Sequence, residues 1–166
     1  MTLCMSAAAQ NMSEVFARHR DRAGSAPFIV ISKQDLRLVM FDAKGTVLKD
    51  CGISCAKTVG AKQKRGDHKT PEGVFKINEL LRSDYLTHDF GDGKGPVKGA
   101  YGPWFLRLDV PGGIRDIGIH GTHKPESIGT RDTEGCIRLL NENIVELKNL
   151  VKVGVPVIIL AEGESL

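Results

Sequence analysis

The stretch IHGTHKPESIGTRDTEGCIRL, residues 119–139, holds two histidines, a Gly-Cys pair, arginine and several hydroxyl groups. A purely structural segment rarely concentrates so many reactive groups. The β-rich run IRDIGIHG (114–121) overlaps its start, and a helical pattern follows its last residues. The stretch therefore connects a strand to a helix, and its chemistry guides the interpretation of the rest of the chain.

Cys136 is the candidate nucleophile of this stretch. Gly135 before it permits a tight turn and leaves room for a substrate carbonyl to approach the backbone. Backbone N–H groups around such a turn can bind an oxyanion. A free thiol has a pKa of about 8.5 and is mostly protonated at neutral pH, so a nucleophilic cysteine needs a nearby base or cation.

Three neighbours could supply that base or cation. His120 ends the strand and would face the next loop, and the chain between it and Cys136 is long enough to return beside it. His120 is therefore the candidate base, with His123 in the loop as its rival. Arg138 lies two residues beyond Cys136, so both side chains point to the same side of an extended segment. There Arg138 could bind a substrate carboxylate through two parallel hydrogen bonds.

Two other interpretations of these residues remain open on chemistry alone. Half-buried cysteines and histidines at strand ends are common in proteins without catalytic function. Metal binding by Cys136, His120 and His123 would need a fourth ligand, and the sequence offers no evident one.

Composition indicates one globular domain without a nucleic-acid partner. The chain has 166 residues, of which 41% are apolar and 26% charged, and 23 Lys and Arg against 20 Asp and Glu give a net charge of +3. That charge is too mild to indicate nucleic-acid binding. The basic run AKQKRGDHK (61–69) is interpreted as a solvated loop. No apolar stretch approaches the roughly 20 residues that span a bilayer, so we expect no transmembrane segment.

The N-terminal residues 1–25 are interpreted as a polar tail. A short helix is possible around SEVFARHRDRAG (13–24), ending at Gly24. The small-residue string at positions 7–9 is similar to the end of an export leader, although a basic start and a long apolar run are missing. The tail is therefore a possible remnant of such a leader, or simply a frayed end.

The four cysteines do not predict a disulfide framework. They are at positions 4, 51, 55 and 136. On one extended strand, Cys51 and Cys55 would lie about 13 Å apart on the same face, beyond the reach of a disulfide. We expect both to be small buried apolar residues.

The pattern of short apolar runs predicts a mainly β sandwich or barrel with one or two helices. FIVISK, LRLVMFD and TVLKDCGIS read as an antiparallel meander, with a turn at DAKG (42–45). Further strands are VFKI after the turn at 70–73, PWFLRLDV, IRDIGIHG and VPVIIL. One helix is predicted between Asn141, as its cap, and Gly154, with a buried face of Ile144, Leu147, Leu150 and Val151.

Residues 83–102, SDYLTHDFGDGKGPVKGAYG, form a long glycine-rich segment without a periodic pattern. Irregular loops of this length inside a compact domain are usually functional, so the segment is expected to be a lid or a binding loop. The alternative is a mobile excursion without a function.

The motifs IGIHGT, SIG and TEGCIRL resemble, in this order, the signature of L,D-transpeptidase catalytic domains of the YkuD type. The upstream segments FIVISKQDLRLVMFDAKG, DHKTPEGVFKI and YGPWFLRL are also similar to parts of that family. The resemblance covers about residues 27 to 160. It implies a β-sandwich or barrel with a loop that caps the active site, and it assigns residues 26–162 to the catalytic domain.

The resemblance also assigns roles to individual residues. It implies that Cys136 is the nucleophile, that His120 is its base and that the Gly121 carbonyl orients the imidazole. Backbone N–H groups of Gly135 and Cys136 would bind the oxyanion. The remaining matched positions are implied to bind or support the acyl donor: Arg138, Thr133 and Thr122.

Glu134 departs from the family pattern, because many members carry a histidine directly before the Gly-Cys pair. A carboxylate beside Cys136 would raise the pKa of the thiol unless Arg131 or Arg138 neutralises it. This residue puts the strength of thiol activation in question.

The family's chemistry implies formation of 3-3 cross-links between peptidoglycan stem peptides, through a thioester acyl-enzyme and with release of D-Ala. It implies neither a cofactor nor a metal, and it implies inhibition by carbapenem-type β-lactams. Two alternatives are an L,D-carboxypeptidase, in which water resolves the thioester, and a catalytically weak wall-binding homologue. Because the substrate lies outside the cytoplasmic membrane, the expected location is the cell envelope, periplasmic or extracellular.

Overall fold

The structure is a computed structural model that describes the backbone of residues 7–166 and the side chains of residues 11–166. Cys4 lies outside the described residues. Within residues 7–166, the regular structure consists of two α-helices, twelve strands and one short 3-10 helix at Pro125–Ser127. The helices are α1 (Ala7–Ala23) and α2 (Asn141–Leu150). The strands are β1 (Phe28–Ser32), β2 (Arg37–Phe41), β3 (Val47–Gly52), β4 (Cys55–Ala56), β5 (Gly73–Arg82), β6 (Thr87–Asp89), β7 (Pro96–Lys98), β8 (Trp104–Leu108), β9 (Gly118–His120), β10 (Arg131–Thr133), β11 (Ile137–Arg138) and β12 (Pro156–Ile159).

Eight strands form one sheet in the order β11-β9-β8-β5-β12-β1-β2-β3. β1, β2 and β3 pair antiparallel in sequence, so the predicted meander is confirmed. β12 joins the sheet between β1 and β5, parallel to the first and antiparallel to the second. The mainly β class with two helices is thus confirmed. Two small sheets, β4 with β10 and β6 with β7, lie outside the large one.

Both faces of the central strands are buried because each face packs on a different layer. Successive side chains of a strand point to opposite faces. In β1, Ile29 and Ile31 belong to the main core, whereas Phe28 and Val30 belong to a second apolar cluster. This second cluster lies between the sheet and α1, which explains why the three strands β1, β2 and β12 are almost uniformly apolar.

The segment interpreted as a tail contains helix α1, which is longer than the predicted helix. Val15 is buried in the second cluster, and the Phe16 ring lies 5.7 Å from Phe28 and 5.6 Å from Phe41. The helix ends at the predicted residue, where Gly24 has a φ of +79° and its N–H bonds to the Arg20 carbonyl. Residues 11–23 therefore form a packed layer of the domain and are not a free tail.

Helix α2 differs from its prediction in two details. Its N-cap position is Leu140, which has no side-chain cap, so Asn141 is the first helical residue and does not cap the helix. Ile144, Leu147 and Val151 are buried as predicted, but Leu150 is 40% exposed. The buried stripe follows spacings of three and four residues, and Leu150 lies at its edge.

Two further expectations concern cysteines and loops. Cys51 and Cys55 are free and buried, as predicted, but they belong to separate strands and not to one extended segment.

The run at 61–69 is not a uniformly solvated loop. Asp67 accepts hydrogen bonds from the backbone N–H of Gln63 at 2.7 Å and from Lys62 Nζ at 2.8 Å, and the Lys62 side chain is only 4% exposed.

A buried lysine ties four parts of the chain together. The Lys33 side chain is fully buried, with Nζ 3.3 Å from Glu72 and 3.1 Å from Glu162, and it donates to the Gly60 carbonyl at 3.3 Å. Arg131 forms two further hydrogen bonds to Glu162, at 2.6 and 3.2 Å. The end of β1, the loop at Gly60, the turn before β5 and the C-terminal segment meet at Lys33, and strand β10 joins them through Glu162.

Replacing Lys33 by Met should lower the free energy of unfolding by about 3–5 kcal/mol, because it removes one partner of a buried charge network and leaves the other charges in place. Urea unfolding followed by circular dichroism measures this loss. Lys44→Met, in the exposed turn at 42–45, is the control and should change stability by less than about 0.5 kcal/mol. Equal unfolding midpoints for the two variants would contradict the role given to the ion cluster.

Candidate active site

The parallel pairing of β9 with β11 brings the two central candidate residues together. Ile137 is opposite Ile119 and Arg138 is opposite His120, and the Leu139 N–H donates to the His120 carbonyl at 2.8 Å. Cys136 directly precedes this pair. The Cys136 and His120 side chains line one cavity of about 150 Å³. A thiol and an imidazole that are far apart in the sequence therefore share one small chamber.

The turn before the thiol accepts only glycine. Gly135 has a φ of +139°, and an added Cβ would lie 2.9 Å from the Lys69 carbonyl oxygen. Two threonines hold the turn: Thr70 Oγ1 donates to the Gly135 carbonyl at 2.8 Å, and Thr133 Oγ1 donates to the Cys136 carbonyl at 2.7 Å. Thr133 thus lies in the supporting position that the family resemblance implied.

The backbone donors of this turn are not equivalent. The Gly135 N–H donates to Thr133 Oγ1 at 3.2 Å, so it can take the oxyanion-binding role predicted for it only by giving up or sharing this bond. Within residues 7–166, the Cys136 N–H has no protein acceptor. In this arrangement, a developing oxyanion at Cys136 meets one free backbone donor.

His120 is fixed by its own backbone and by two aromatic rings. Its Nδ1 lies 2.5 Å from the Gly121 carbonyl oxygen, the contact implied by the family resemblance. A carbonyl only accepts hydrogen bonds, so Nδ1 carries the hydrogen and Nε2 of the neutral ring is the basic atom. The ring stacks on Phe105, with centroids 5.5 Å apart, and meets the Tyr101 ring edge-on at 5.1 Å.

Desolvation shifts the pKa of both reactive groups toward their neutral forms. It lowers the pKa of His120 to about 3, against the effect of the Gly121 contact. Burial also raises the pKa of the Cys136 thiol to about 12; the Gly118 backbone N–H opposes this shift and the Asp116 charge adds to it. The thiol donates to the Asp116 carbonyl at 3.2 Å. Both pKa shifts favour the neutral thiol and imidazole over a thiolate and imidazolium pair.

Arg138 is not a free clamp. Its side chain is 3% exposed, and Nη1 donates to Ser127 Oγ and to Asp132 Oδ2, both at 2.8 Å. Its Nε is buried without a hydrogen-bond partner among the described residues. The guanidinium lines the cavity but is fixed by Asp132 before any substrate enters, which corrects the expectation of an unpaired carboxylate clamp.

Glu134 is paired with a residue that the sequence did not single out. Its Oε2 lies 3.1 Å from His88 Nε2. Neither Arg131 nor Arg138 neutralises Glu134, because Arg131 pairs with Glu162 and Arg138 with Asp132. The carboxylate that acts on the thiol is Asp116, which the sequence patterns did not indicate.

Residues 83–102 cap the cavity, as predicted, although they contain the hairpin β6/β7 and are not wholly irregular. His88, Phe90 and Tyr101 of this segment line the cavity. The Phe90 ring lies 5.1 Å from His123, and His123 Nδ1 is 3.5 Å from the Ala100 carbonyl. His123 therefore contacts the cap and is outside the cavity lining, so of the two histidines in residues 119–139 only His120 lines the cavity.

Thr122 is a structural residue rather than part of the cavity. It is buried, its N–H donates to Asn141 Oδ1 at 2.7 Å, and its Oγ1 accepts from the Lys124 N–H at 2.8 Å. The substrate-binding role predicted for Thr122 is therefore not supported by its position.

Asn141 also contacts the turn after His120: a Cβ on Gly121 would lie 2.4 Å from Asn141 Oδ1. Local patterns placed Asn141 only at a helix end and gave no sign of this contact.

In the described part of the chain, three or more His, Cys, Asp or Glu residues are nowhere grouped so that they could hold a metal ion. Neither of the described helices combines the length and apolar character needed to cross a membrane.

Comparison with known proteins gives consistent matches. The family model YkuD, the L,D-transpeptidase catalytic domain, matches residues 26–159. YqjB of Bacillus subtilis (strain 168), whose name assigns it provisionally to the L,D-transpeptidases, is 30% identical over 141 residues, covering 84% of this chain and 74% of YqjB.

Solved structures share the fold. The catalytic domain of an Enterococcus faecium L,D-transpeptidase, determined by NMR, gives a TM-score of 0.59 at 22% identity, over 82% of this chain and 98% of that domain. L,D-transpeptidase 3 from Mycobacterium tuberculosis, in complex with a faropenem-derived adduct, gives 0.60 at 17% identity, over 80% of this chain and 59% of that one. The match spans only 49% of the longer E. faecium chain known from a crystal structure. With the family match over residues 26–159, the chain belongs to the YkuD family of L,D-transpeptidase catalytic domains.

Proposed function

We propose that the chain is a cysteine-dependent L,D-transpeptidase that forms 3-3 cross-links between peptidoglycan stem peptides. The observation that carries this proposal is the β9/β11 register, which places the Cys136 thiol and the His120 imidazole in one capped cavity of a YkuD-family domain. We also propose an envelope location, periplasmic or extracellular, because the substrate is there.

In the acylation step, Cys136 Sγ attacks the carbonyl carbon of the diamino-acid residue that precedes the terminal D-Ala. The thiol proton passes to His120 Nε2, and the oxyanion accepts a hydrogen bond from the Cys136 N–H. When the intermediate collapses, the C–N bond to D-Ala breaks and Nε2–H protonates the leaving amine. The products are free D-Ala and a thioester on Cys136.

In the second step, a neutral side-chain amine of another stem attacks the thioester carbonyl. One amine proton passes to His120 Nε2, the C–S bond breaks, and the departing sulfur takes that proton back. A new amide joins the third residues of two stems, and the thiol and imidazole are neutral again. With water as the attacking group, the same residues would act as an L,D-carboxypeptidase.

Because both pKa shifts favour the neutral pair, we propose that the proton leaves the thiol during the attack. The Gly121 carbonyl then stabilises the imidazolium through Nδ1–H, as the carboxylate of a Ser-His-Asp triad does. Cys136 is also the proposed site of acylation by carbapenem-type β-lactams; the structurally similar M. tuberculosis protein carries an adduct derived from faropenem, a β-lactam of the related penem class.

Cys136→Ala should lower D-Ala release from a tetrapeptide stem by at least about a thousandfold, since it removes the nucleophile. Mass spectrometry after incubation with the stem, and separately with a carbapenem, measures release, cross-linked dimer and covalent adduct. Cys51→Ala, which alters a buried thiol outside the cavity, should retain all three. Turnover by Cys136→Ala would refute the proposed nucleophile.

The same products separate the alternatives. Cross-linked dimer supports a transpeptidase, whereas tripeptide without dimer identifies a carboxypeptidase. Binding of stems without release of D-Ala by the unaltered chain would identify a wall-binding homologue.

Alkylation of Cys136 by iodoacetamide at pH 7 should be at least about tenfold slower than that of a free model thiol, because the raised thiol pKa reduces the thiolate fraction. The alkylation rate should rise with pH, because the thiolate fraction grows, and it should continue to rise above about pH 10. Peptide mass spectrometry that follows the Cys136 peptide measures this profile. A plateau already reached near neutral pH would show a resting thiolate instead.

Two variants test which carboxylate raises the pKa of the Cys136 thiol and so shifts the pH profile of its alkylation. Asp116→Asn should move it to lower pH by less than about one unit, because it removes the negative charge that acts on the thiol across a partly solvated path. Glu134→Gln should move it less, since the carboxylate charge that acts on the thiol is that of Asp116 and not that of Glu134. If Glu134→Gln shifts the profile more than Asp116→Asn does, the carboxylate that raises the pKa of the Cys136 thiol is Glu134.

A further inference from the structure

A second cavity, of about 360 Å³, lies beside the active-site cavity and shares Tyr101 and Asp116 with it. It is larger than the chamber that holds the thiol. We call it the arginine groove. Its principal lining residues are Arg65, Leu86, Tyr101, Phe105, Arg107 and Arg115.

The floor of the arginine groove continues the sheet face that carries His120. Across the strands, His120 is opposite Phe105, and Phe105 is opposite Leu81. Directly opposed residues on neighbouring strands point to the same face. Leu81 and Phe105 line the groove, so an apolar floor runs from the catalytic histidine into it.

The rim of the groove is cationic. Arg107 donates to Glu79 through Nη1, while its Nε is buried without a hydrogen-bond partner in the described part of the chain. Arg65 Nε is 3.8 Å from an Asp116 carboxylate oxygen, with a side chain that is 79% exposed. Arg115 forms no ion pair or hydrogen bond within the described residues 7–166, so three guanidiniums stand against two carboxylates here.

A ligand suited to this site has an aliphatic part for the floor and free carboxylates for the rim. Guanidinium groups bind carboxylates through charge-assisted, often paired hydrogen bonds. A carboxamide has the same shape but no charge and only one acceptor atom, so it would bind much more weakly.

We propose that the arginine groove binds the acceptor stem peptide and selects stems whose carboxylates are free over stems whose carboxylates are amidated. The identity of the ligand rests on the proposed function. The acyl donor is attached to Cys136 in the smaller cavity, so the second substrate reaches the thioester from another side. Asp116, which lines both cavities, marks this second direction of approach, because its carbonyl accepts a hydrogen bond from the Cys136 thiol.

A tripeptide stem tests this proposal without catalysis, because it lacks the terminal D-Ala and cannot acylate Cys136. Isothermal titration calorimetry with the unaltered protein should give a Kd at least about tenfold lower for the tripeptide with free carboxylates than for its amidated counterpart. Equal Kd values for the two peptides would overturn the proposal.

Arginine variants locate the selectivity. Arg115→Gln, an exposed residue without an ion pair, should weaken binding of the free-carboxylate peptide by about tenfold and change binding of the amidated peptide by less than about twofold. Arg107→Gln should act in the same direction. Arg37→Gln is the control with the same change of charge outside the groove, where Arg37 pairs with Asp50, and it should bind as the unaltered protein does. Equal effects of Arg115→Gln and Arg37→Gln would overturn the proposal.

The outcomes separate this inference from the proposed function. If D-Ala is released but neither peptide is preferred, the transpeptidase function stands and the role of the groove is wrong. If the groove prefers free carboxylates through Arg115 but D-Ala is never released, the groove binds anionic peptides and the proposed catalysis is wrong.

Discussion

The parallel pairing of β9 with β11 is the interaction on which the site depends. Two residue pairs in register are enough to bring the Gly135-Cys136 turn beside the strand that ends at His120. A slip by one residue would turn every side chain of the short strand to the other face. Thr70 and Thr133 secure the turn from outside the pair, so the register is held by hydrogen bonds that a two-residue strand could not supply alone.

The main core and the reactive histidine lie on opposite faces of the sheet. One face of its central strands carries the main core, and the opposite face of β1 and β2 is covered by α1. On β8 and β9, Phe105 and His120 lie away from the core residues Leu106 and Ile119, under the capping segment. The polar groups needed for reaction therefore stay outside the main core, where an unpaired polar group would cost stability.

The sequence allowed the prediction of features that depend on local pattern. Alternating apolar runs predicted the meander, Gly24 the end of α1, and the His-Gly and Gly-Cys motifs the two residues that meet in the cavity. Local pattern could not show which loops converge from distant parts of the chain. Asp116 at the thiol, the His88–Glu134 contact and the pairing of Arg138 with Asp132 all depend on tertiary packing, which has no periodic signature.

The contact of Asn141 with the turn after His120 has a consequence for how this region can vary in evolution. A Cβ on Gly102 would lie 2.4 Å from Asn141 Oδ1 and 2.6 Å from the Gly121 Cα, and a Cβ on Gly121 would meet the same amide oxygen. Gly121 and Asn141 fill one space, so a side chain at 121 requires a smaller or displaced side chain at 141. Gly102 has a φ of +64° and lies against the Gly121 backbone, so among related sequences position 102 should stay glycine, while positions 121 and 141 should change together, as a covarying pair that joins the base to the helix.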